Sequence, residues 1–237
     1  MLNILLIAGH GGGDCGAIGN GYKEADLTRE VCTLLKPMLA GYANVTIADT
    51  SRNWYDFIRN GGQFNFKPYD YVLEIHFNAG VSDVNGNGTT TGTEIYVTTS
   101  EKSYGVESEI VKGISNIGFK NRGVKRKNFA VINHIKNQGV SSALLEVCFI
   151  DDKDDIKLYQ GKKREIAKAI ANGIIVGFSL TLVMTIEKKE DELKEACDLL
   201  ASKGIINSPD YWAKGAGYSD ENTVLLIKKF ASYVRGA

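Results

Sequence analysis

The chain has 237 residues, room for one sizeable domain and a small appendage, with 43% hydrophobic and 24% charged residues. Its 28 basic and 28 acidic residues cancel, which argues against nucleic acid as the main partner, because phosphate binding leaves a basic footprint. The cysteines Cys15, Cys32, Cys148 and Cys197 form no C-x-x-C pair, which argues against a thiolate zinc site and against a disulfide framework.

In chain order, Met1-Leu2-Asn3 and Ile4–Ala8 lack a basic n-region and a small-residue cleavage site. They read as a first strand, so synthesis in the cytoplasm without a signal peptide is expected. A glycine-rich loop, Gly9 to Asp14, leads to a helix over Lys23–Leu39, and strands follow at Asn44–Asp49 and Tyr69–His76. The stretch 80–92, rich in Gly, Asn and Thr, reads as a mobile surface segment or as a wall of a substrate cleft. Further strands are expected at Glu94–Thr98, Phe129–Ile132 and Ala143–Phe149, with helices at Lys102–Asn116, Asp152–Leu158 and Lys162–Phe178. Short β-type runs alternating with longer helical patterns indicate an α/β fold, a twisted, mostly parallel sheet of about six strands flanked by helices. The apolar stretch Ile166–Met184 contains Lys168 and Asn172 and reads as a buried helix, not a membrane span.

Composition turns polar at Thr185–Lys189, dividing the chain into a domain over 1–184 and a small C-terminal helical module over 185–237. In the module, helices are expected at Glu190–Lys203 and Asn222–Val234, with Tyr211, Trp212 and Tyr218 in the connection.

Two of the three histidines hold informative places: His10 follows the first strand and His76 ends the third. In open α/β sheets, ligands bind outside the carboxyl ends of the strands, so one crevice can receive both imidazoles. The loop around His10 is too glycine-rich to serve packing. Glu24 opens the next helix, either turning back toward His10 or serving the helix N-terminus. Glu146 lies within the apolar strand Ala143–Phe149, where a carboxylate needs a partner or a raised pKa. It reads as a general acid/base or as half of a buried ion pair. Glu74 precedes His76 by two residues, on the same strand face, as a partner of His76 or a competing acid/base. Two histidines and one carboxylate, with a fourth position open to water, are a known pattern for catalytic zinc. The helical motif H-E-x-x-H is absent, so such a site must be assembled from distant segments.

The ordered segments Gly9-His10-Gly11-Gly12-Gly13-Asp14-Cys15-Gly16-Ala17, Glu24, Glu74-Ile75-His76-Phe77-Asn78-Ala79, Asn121-Arg122-Gly123-Val124-Lys125 and Leu145-Glu146-Val147-Cys148-Phe149-Ile150 resemble the zinc-dependent N-acetylmuramoyl-L-alanine amidases of phage endolysins and bacterial autolysins. The resemblance implies that His10, Glu24 and His76 bind one Zn2+ ion. Glu146 would activate the attacking water and return the proton to the leaving amine, and Asn78 would shape the site by hydrogen bonding. The implied substrate is bacterial peptidoglycan, cut between N-acetylmuramic acid and the L-alanine of the stem peptide. As a phage endolysin the protein would reach the cell wall through a holin pore.

Two alternatives stand beside this: a zinc peptidase cutting within the stem peptide, and a non-catalytic cell-wall-binding protein. His134 matches no ligand position. No helical insertion follows His76, so activity without a dedicated activator is expected. The segment from Lys203 to Trp212 is similar to helical tails of phage and clostridial wall enzymes. Wall binding, packing on the catalytic domain and homodimerisation are open roles for it.

Overall fold

A computed structural model describes residues 1–182, 186–204, 206, 209–213, 224, 227, 228, 230–232 and 235 of the chain. The chain forms two compact units, Met1–Leu182 and Val183–Ala237. The first begins with β1 (Leu2–Ala8) and a hairpin of β2 (Ile18–Gly19) and β3 (Tyr22–Lys23), which runs directly into α1 (Glu24–Met38). Then come β4 (Ala43–Ile47), α2 (Trp54–Arg59), β5 (Tyr71–Asn78), β6 (Thr93–Val97), α3 (Gly105–Ser115), β7 (Asn121–Arg126), α4 (Ala130–Asn137), β8 (Ser141–Phe149) and α5 (Lys153–Gly177).

Six strands form one sheet in the order β4-β1-β5-β8-β6-β7. The first four are mutually parallel; β6 pairs antiparallel with β8, and β7 runs parallel to β6. On one face Ile4, Leu6, Leu73, Ile75, Ala143 and Leu145 pack with Val31 of α1, Ile110 of α3 and Ile170 of α5. On the other, Leu5, Ile7 and Val72 pack with Trp54 of α2 and with Val131 and Ile135 of α4. Helices on both faces explain why these strands read as nearly continuous apolar runs. Side chains alternate along a strand, so Glu74 and His76 share the face of Val72, toward α2 and α4. This face carries the site.

The structure corrects the expected strand at Phe129–Ile132. Phe129 has extended backbone and stands as the N-cap of α4, whose buried residues Val131, Ile132 and Ile135 follow helical spacing. A short apolar run cannot by itself separate strand from helix. The sixth strand is instead β7, Asn-Arg-Gly-Val-Lys-Arg, a polar edge strand with a register shift against β6. The short helix α2 was not expected; the Asn53 side chain caps it by accepting the Asp56 N–H at 3.1 Å. The two helices expected over 152–158 and 162–178 run together as α5, with a kink at Lys162 (φ −134°, ψ 16°).

The 80–92 segment is tethered at many points. Asp151 Oδ2 accepts the backbone N–H groups of Gly80, Val81 and Ser82 at 2.7–2.9 Å. Asp154 accepts those of Asn87 and Gly88, Asp152 that of Thr91, and Asp155 that of Gly92. The Asp-Asp-Lys-Asp-Asp run at the start of α5 thus supplies the acceptors this loop's backbone requires.

In the second unit, α6 (Ile186–Ser202) and α7 (Pro209–Ala213) are described, with a small cluster of Ala196, Leu200 and Ala231 flanked by Leu199, Ile206 and Ile227. α7 carries Tyr211 and Trp212. Tyr218 and most of the helix expected over Asn222–Val234 lie outside the described residues. No helix among the described residues is long and apolar enough to cross a membrane.

Candidate active site

The loop after β1 sets the first histidine. His10 adopts φ 62°, in the left-handed region that non-glycine residues seldom occupy and that marks strained functional positions. α1 holds this loop: Thr28 donates to the Gly9 carbonyl at 3.0 Å, and Arg29 donates to the carbonyls of Gly9, His10 and Thr50. Glycine is required here by close approach. A Cβ on Gly9 would stand 2.4 Å from the His76 ring, and one on Gly16 would stand 2.7 Å from both Glu24 Oε2 and the His10 ring.

The β2–β3 hairpin, tied to the end of β8 by Asn20 Nδ2 donating to the Ile150 carbonyl at 2.9 Å, delivers Glu24 at the first turn of α1. Glu24 is 4% exposed. Its Oε2 accepts the Ala17 N–H and its Oε1 the Phe77 N–H, both at 3.0 Å. The same two oxygens meet His10 Nε2 at 3.0 Å and His76 Nδ1 at 2.9 Å. Glu24 therefore lies between the two imidazoles, fixed by backbone from both sides.

Each histidine has a second carboxylate behind it. Asp14 Oδ2 meets His10 Nδ1 at 2.7 Å while Asp14 Oδ1 accepts the Gly16 N–H. Glu74 Oε1 meets His76 Nε2 at 3.2 Å. Sequence reasoning did not single out Asp14; its position four residues after His10 acquires meaning only once the loop folds back. Burial disfavours charge on both rings, but hydrogen bonds with Glu24, and with Asp14 and Glu74 behind them, outweigh it and raise both histidines above their ordinary pKa. For Glu24, burial is likewise overcome by the two histidines, which hold the carboxyl well below its usual range. Asp14 is lowered by His10 and by the Gly16 N–H.

Glu146 comes from the central strand β8, paired in register with His76 on one side and Glu94 on the other. Burial pushes it up to about 7, with the carboxylates of Glu24, Glu94 and Glu74 adding to the effect against His76. Its Oε2 is buried and receives no hydrogen bond, as is Glu74 Oε2. Glu24, Glu74, His76 and Glu146 line a cavity of about 450 Å³. Asn53, Trp54 and Tyr55 of the α2 start form one wall, and Phe129, Ala130 and Val131 of the α4 start another.

Asn78 also lines this cavity. Its Nδ2 donates to Glu94 Oε1 at 3.0 Å and its Oδ1 accepts the Ala79 N–H at 2.8 Å. Glu94 in turn accepts from Tyr96 at 2.6 Å and pairs with Arg122 and Lys125. These bonds lower its pKa against the opposing effect of burial. The Asn121–Lys125 segment of the sequence thus acts through Glu94 on Asn78. His134 is absent from the cavity lining; it sits against Phe66 and Gln138.

The residues present fit a zinc ion. One ligand atom from each of His10, Glu24 and His76 lies within 4.8 Å of the others, and two imidazoles with a carboxylate are a donor set of catalytic zinc. Asp14 and Glu74 make the kind of outer hydrogen bond that would fix the two imidazoles as ligands. The buried, unpartnered oxygens of Glu74 and Glu146 leave negative charge that a cation would answer.

The fold and this donor set define a class of α/β enzyme with a candidate metal centre, and the comparisons with known proteins give its family. The profile of the N-acetylmuramoyl-L-alanine amidase family matches residues 4–176, and the chain belongs to that family. It is 31% identical over 193 residues to the N-acetylmuramoyl-L-alanine amidase CwlM of Bacillus licheniformis, covering 76% of this chain and 70% of that protein. It is 29% identical over 192 residues to the endolysin of Bacillus phage SPP1, covering 78% of this chain and 67% of that protein. The fold is shared with the catalytic domain of CwlV, an amidase from Bacillus (Paenibacillus) polymyxa var. colistinus, at TM-score 0.61 and 21% identity, covering 76% of this chain and all of that one (100%).

Proposed function

We infer that this peptidoglycan hydrolase cuts the amide between the lactyl group of N-acetylmuramic acid and the L-alanine of the stem peptide, using one zinc ion held by His10, Glu24 and His76. The observation that carries the reading is the convergence of those three ligand atoms within 4.8 Å beside Glu146, on the strand paired with that of His76. Bound zinc supplies a Lewis acid that acidifies water and polarises a carbonyl. Glu146, with a pKa raised to about 7, takes a proton from the attacking water and returns it to the leaving L-alanine nitrogen, since a base poised near neutrality serves both steps. Glu74 and Asp14 hold the two imidazoles in one orientation, and Asn78, anchored by Glu94, keeps the cavity floor beside Glu146.

The experiment is digestion of purified Gram-positive walls by the native enzyme, by a chelated sample with and without restored zinc, and by Glu146→Ala. Zinc-dependent release of stem peptides with a new L-alanine amino terminus, lost in the variant, is expected. Shorter peptide fragments would point to a stem-peptide peptidase instead. Within this reading we assign the enzyme to phage lysis, which the likeness to the SPP1 endolysin supports. Lysis from inside a host only when a holin is co-expressed tests that role.

A further inference from the structure

The loop leaving β5 reads Asp83-Val84-Asn85-Gly86-Asn87-Gly88, and Glu94 follows after five more residues. That is the oxygen-ligand spacing of a calcium loop, D-x-[DN]-x-[DN]-G-x5-E. The pattern departs from its usual use at the twelfth position. Glu94 is buried in β6 and committed to Asn78, Tyr96, Arg122 and Lys125. The start of α5 brings other carboxylates to the loop instead.

One oxygen from each of Asp83, Asp152 and Asp154 lies within 4.8 Å of the others. Asp152 Oδ1 accepts the N–H groups of Asp154 and Asp155 and its Oδ2 the N–H and hydroxyl of Thr91; Asp154 Oδ2 accepts the N–H groups of Asn87 and Gly88, and Asp83 Oδ1 that of Gly86 at 3.0 Å. Asp83 Oδ2 is different. It exposes less than 1 Å² and receives no hydrogen bond, and Oδ1 of Asp151, the residue before Asp152, is in the same condition. Among the described residues, no lysine or arginine pairs with Asp83, Asp152 or Asp154. A buried carboxylate oxygen with neither donor nor counter-charge is costly, and a cation is one of the few things that removes that cost.

We propose that Asp83, Asp152 and Asp154 bind one Ca2+ ion, at a site distinct from His10, Glu24 and His76. Asn85, exposed and without a hydrogen bond of its own among the described residues, stands two residues after Asp83 as a further oxygen ligand. An all-oxygen donor set selects a hard cation over zinc, and donors spread over a loop and a helix start suit the irregular shell of Ca2+ better than the strict octahedron of Mg2+. Asp83 and Asp152 already form an isolated backbone bridge, so the ion would lock the first half of the 80–92 segment to α5.

The test is Ca2+ uptake by the full-length, zinc-loaded protein, measured by equilibrium dialysis and by the melting temperature with Ca2+ or Mg2+. One Ca2+ per chain is expected, with a Kd of about 1 mM or tighter, and a rise in Tm that equal Mg2+ does not reproduce. Asp83→Asn and Asp154→Asn should each weaken uptake by about tenfold or more with zinc content unchanged, because ligand charge sets the affinity of such sites. His10→Ala should lose zinc and keep Ca2+. Should the aspartate variants fail to fold, Asn85→Ala, at an exposed position with no bond to lose, is expected to weaken Ca2+ several-fold at unchanged stability in chelator. No uptake by the native protein at about 10 mM Ca2+, well above the usual range for extracellular sites, would overturn the proposal. So would uptake that folded Asp83→Asn or Asn85→Ala leaves intact.

Discussion

His76 and Glu146 stand opposite each other on neighbouring parallel strands, β5 and β8, on the sheet face that α2 and α4 cover. The pairing sets an imidazole beside a carboxylate in a stretch where the adjoining strand positions, Ile75, Phe77, Leu145 and Val147, are buried and apolar. Strand register, and not sequence proximity, makes them partners, and it fixes their spacing more rigidly than two loops could. The same ladder places Glu94 on the far side of Glu146, so one acid is confined between an imidazole and a second acid that is itself held by cations.

Glu146→Gln preserves shape and removes the proton acceptor. Turnover of wall fragments should fall about 100- to 10,000-fold, the usual worth of a general acid/base, with zinc content unchanged. The native kcat/KM should rise with pH as Glu146 ionises, at an apparent pKa below the value of about 7 set by burial, because a bound cation favours the carboxylate. That rising limb should be missing from the residual activity of the variant. A limb that persists would assign the titration to another group.

The same shift has the opposite consequence for stability in the absence of metal. Glu146 is raised from 4.5 to about 7 on folding, so the native state binds the extra proton. Its contribution to stability is full below pH 4.5 and is lost as pH rises through 7. Metal-free Glu146→Gln should therefore match the native chain at acid pH and exceed it at pH 8, by up to roughly 3 kcal/mol. Denaturant titrations at the two pH values read the difference directly. An equal effect at both would mean that the change acts through packing.

Asp14→Asn tests the hydrogen bond behind His10. The aspartate meets His10 Nδ1 at 2.7 Å and leaves Nε2 to face Glu24. Loss of such an outer partner weakens metal binding by about 10- to 100-fold. Competition with a chromophoric chelator should show this loss with the circular dichroism spectrum unchanged. Native zinc affinity in the variant would reduce Asp14 to a loop-shaping role through Gly16.

Gly9→Ala asks whether the glycine loop exists to admit the second histidine. The added methyl would lie 2.4–2.7 Å from three atoms of the His76 ring, so the ring or the loop must move. Zinc affinity and activity should fall together, and overpacking of this kind costs about 1–3 kcal/mol of stability. The larger effect is expected on zinc. A stability loss with intact zinc binding would show that the loop yields and His76 does not.

Legibility in the sequence followed burial. Ile4–Ala8 and Ala143–Phe149 stood out because both of their faces are covered and both are apolar, and His10, His76 and Glu146 were visible as polar interruptions at the ends of such runs or within them. β7 was illegible for the converse reason: an edge strand carries no burial pattern, and Arg122 and Lys125 point to Glu94, a partner identified only by the sheet order. α4 was misread because four apolar residues do not carry a period. The carboxylates behind the histidines divide in the same way. Glu74 was found by strand alternation, whereas Asp14 depends on a loop conformation that no period announces. The hold of the aspartates at the start of α5 on the 80–92 loop, across more than sixty residues of sequence, is tertiary information only.

Removal of residues 186–237 separates catalysis from whatever the second unit does. The core clusters of the first unit draw on residues up to Leu180, and the second unit has a small cluster of its own. The truncated enzyme should therefore fold, hold zinc and turn over a soluble muramyl-peptide at the native rate. α7 carries Tyr211 and Trp212, and aromatic residues can stack on sugar rings, so retention on insoluble walls should drop in a sedimentation assay, with slower clearing of intact walls. If retention is unchanged, a wall-binding role for the unit fails. A fall in molar mass by light scattering from dimer to monomer on truncation would then assign it to self-association.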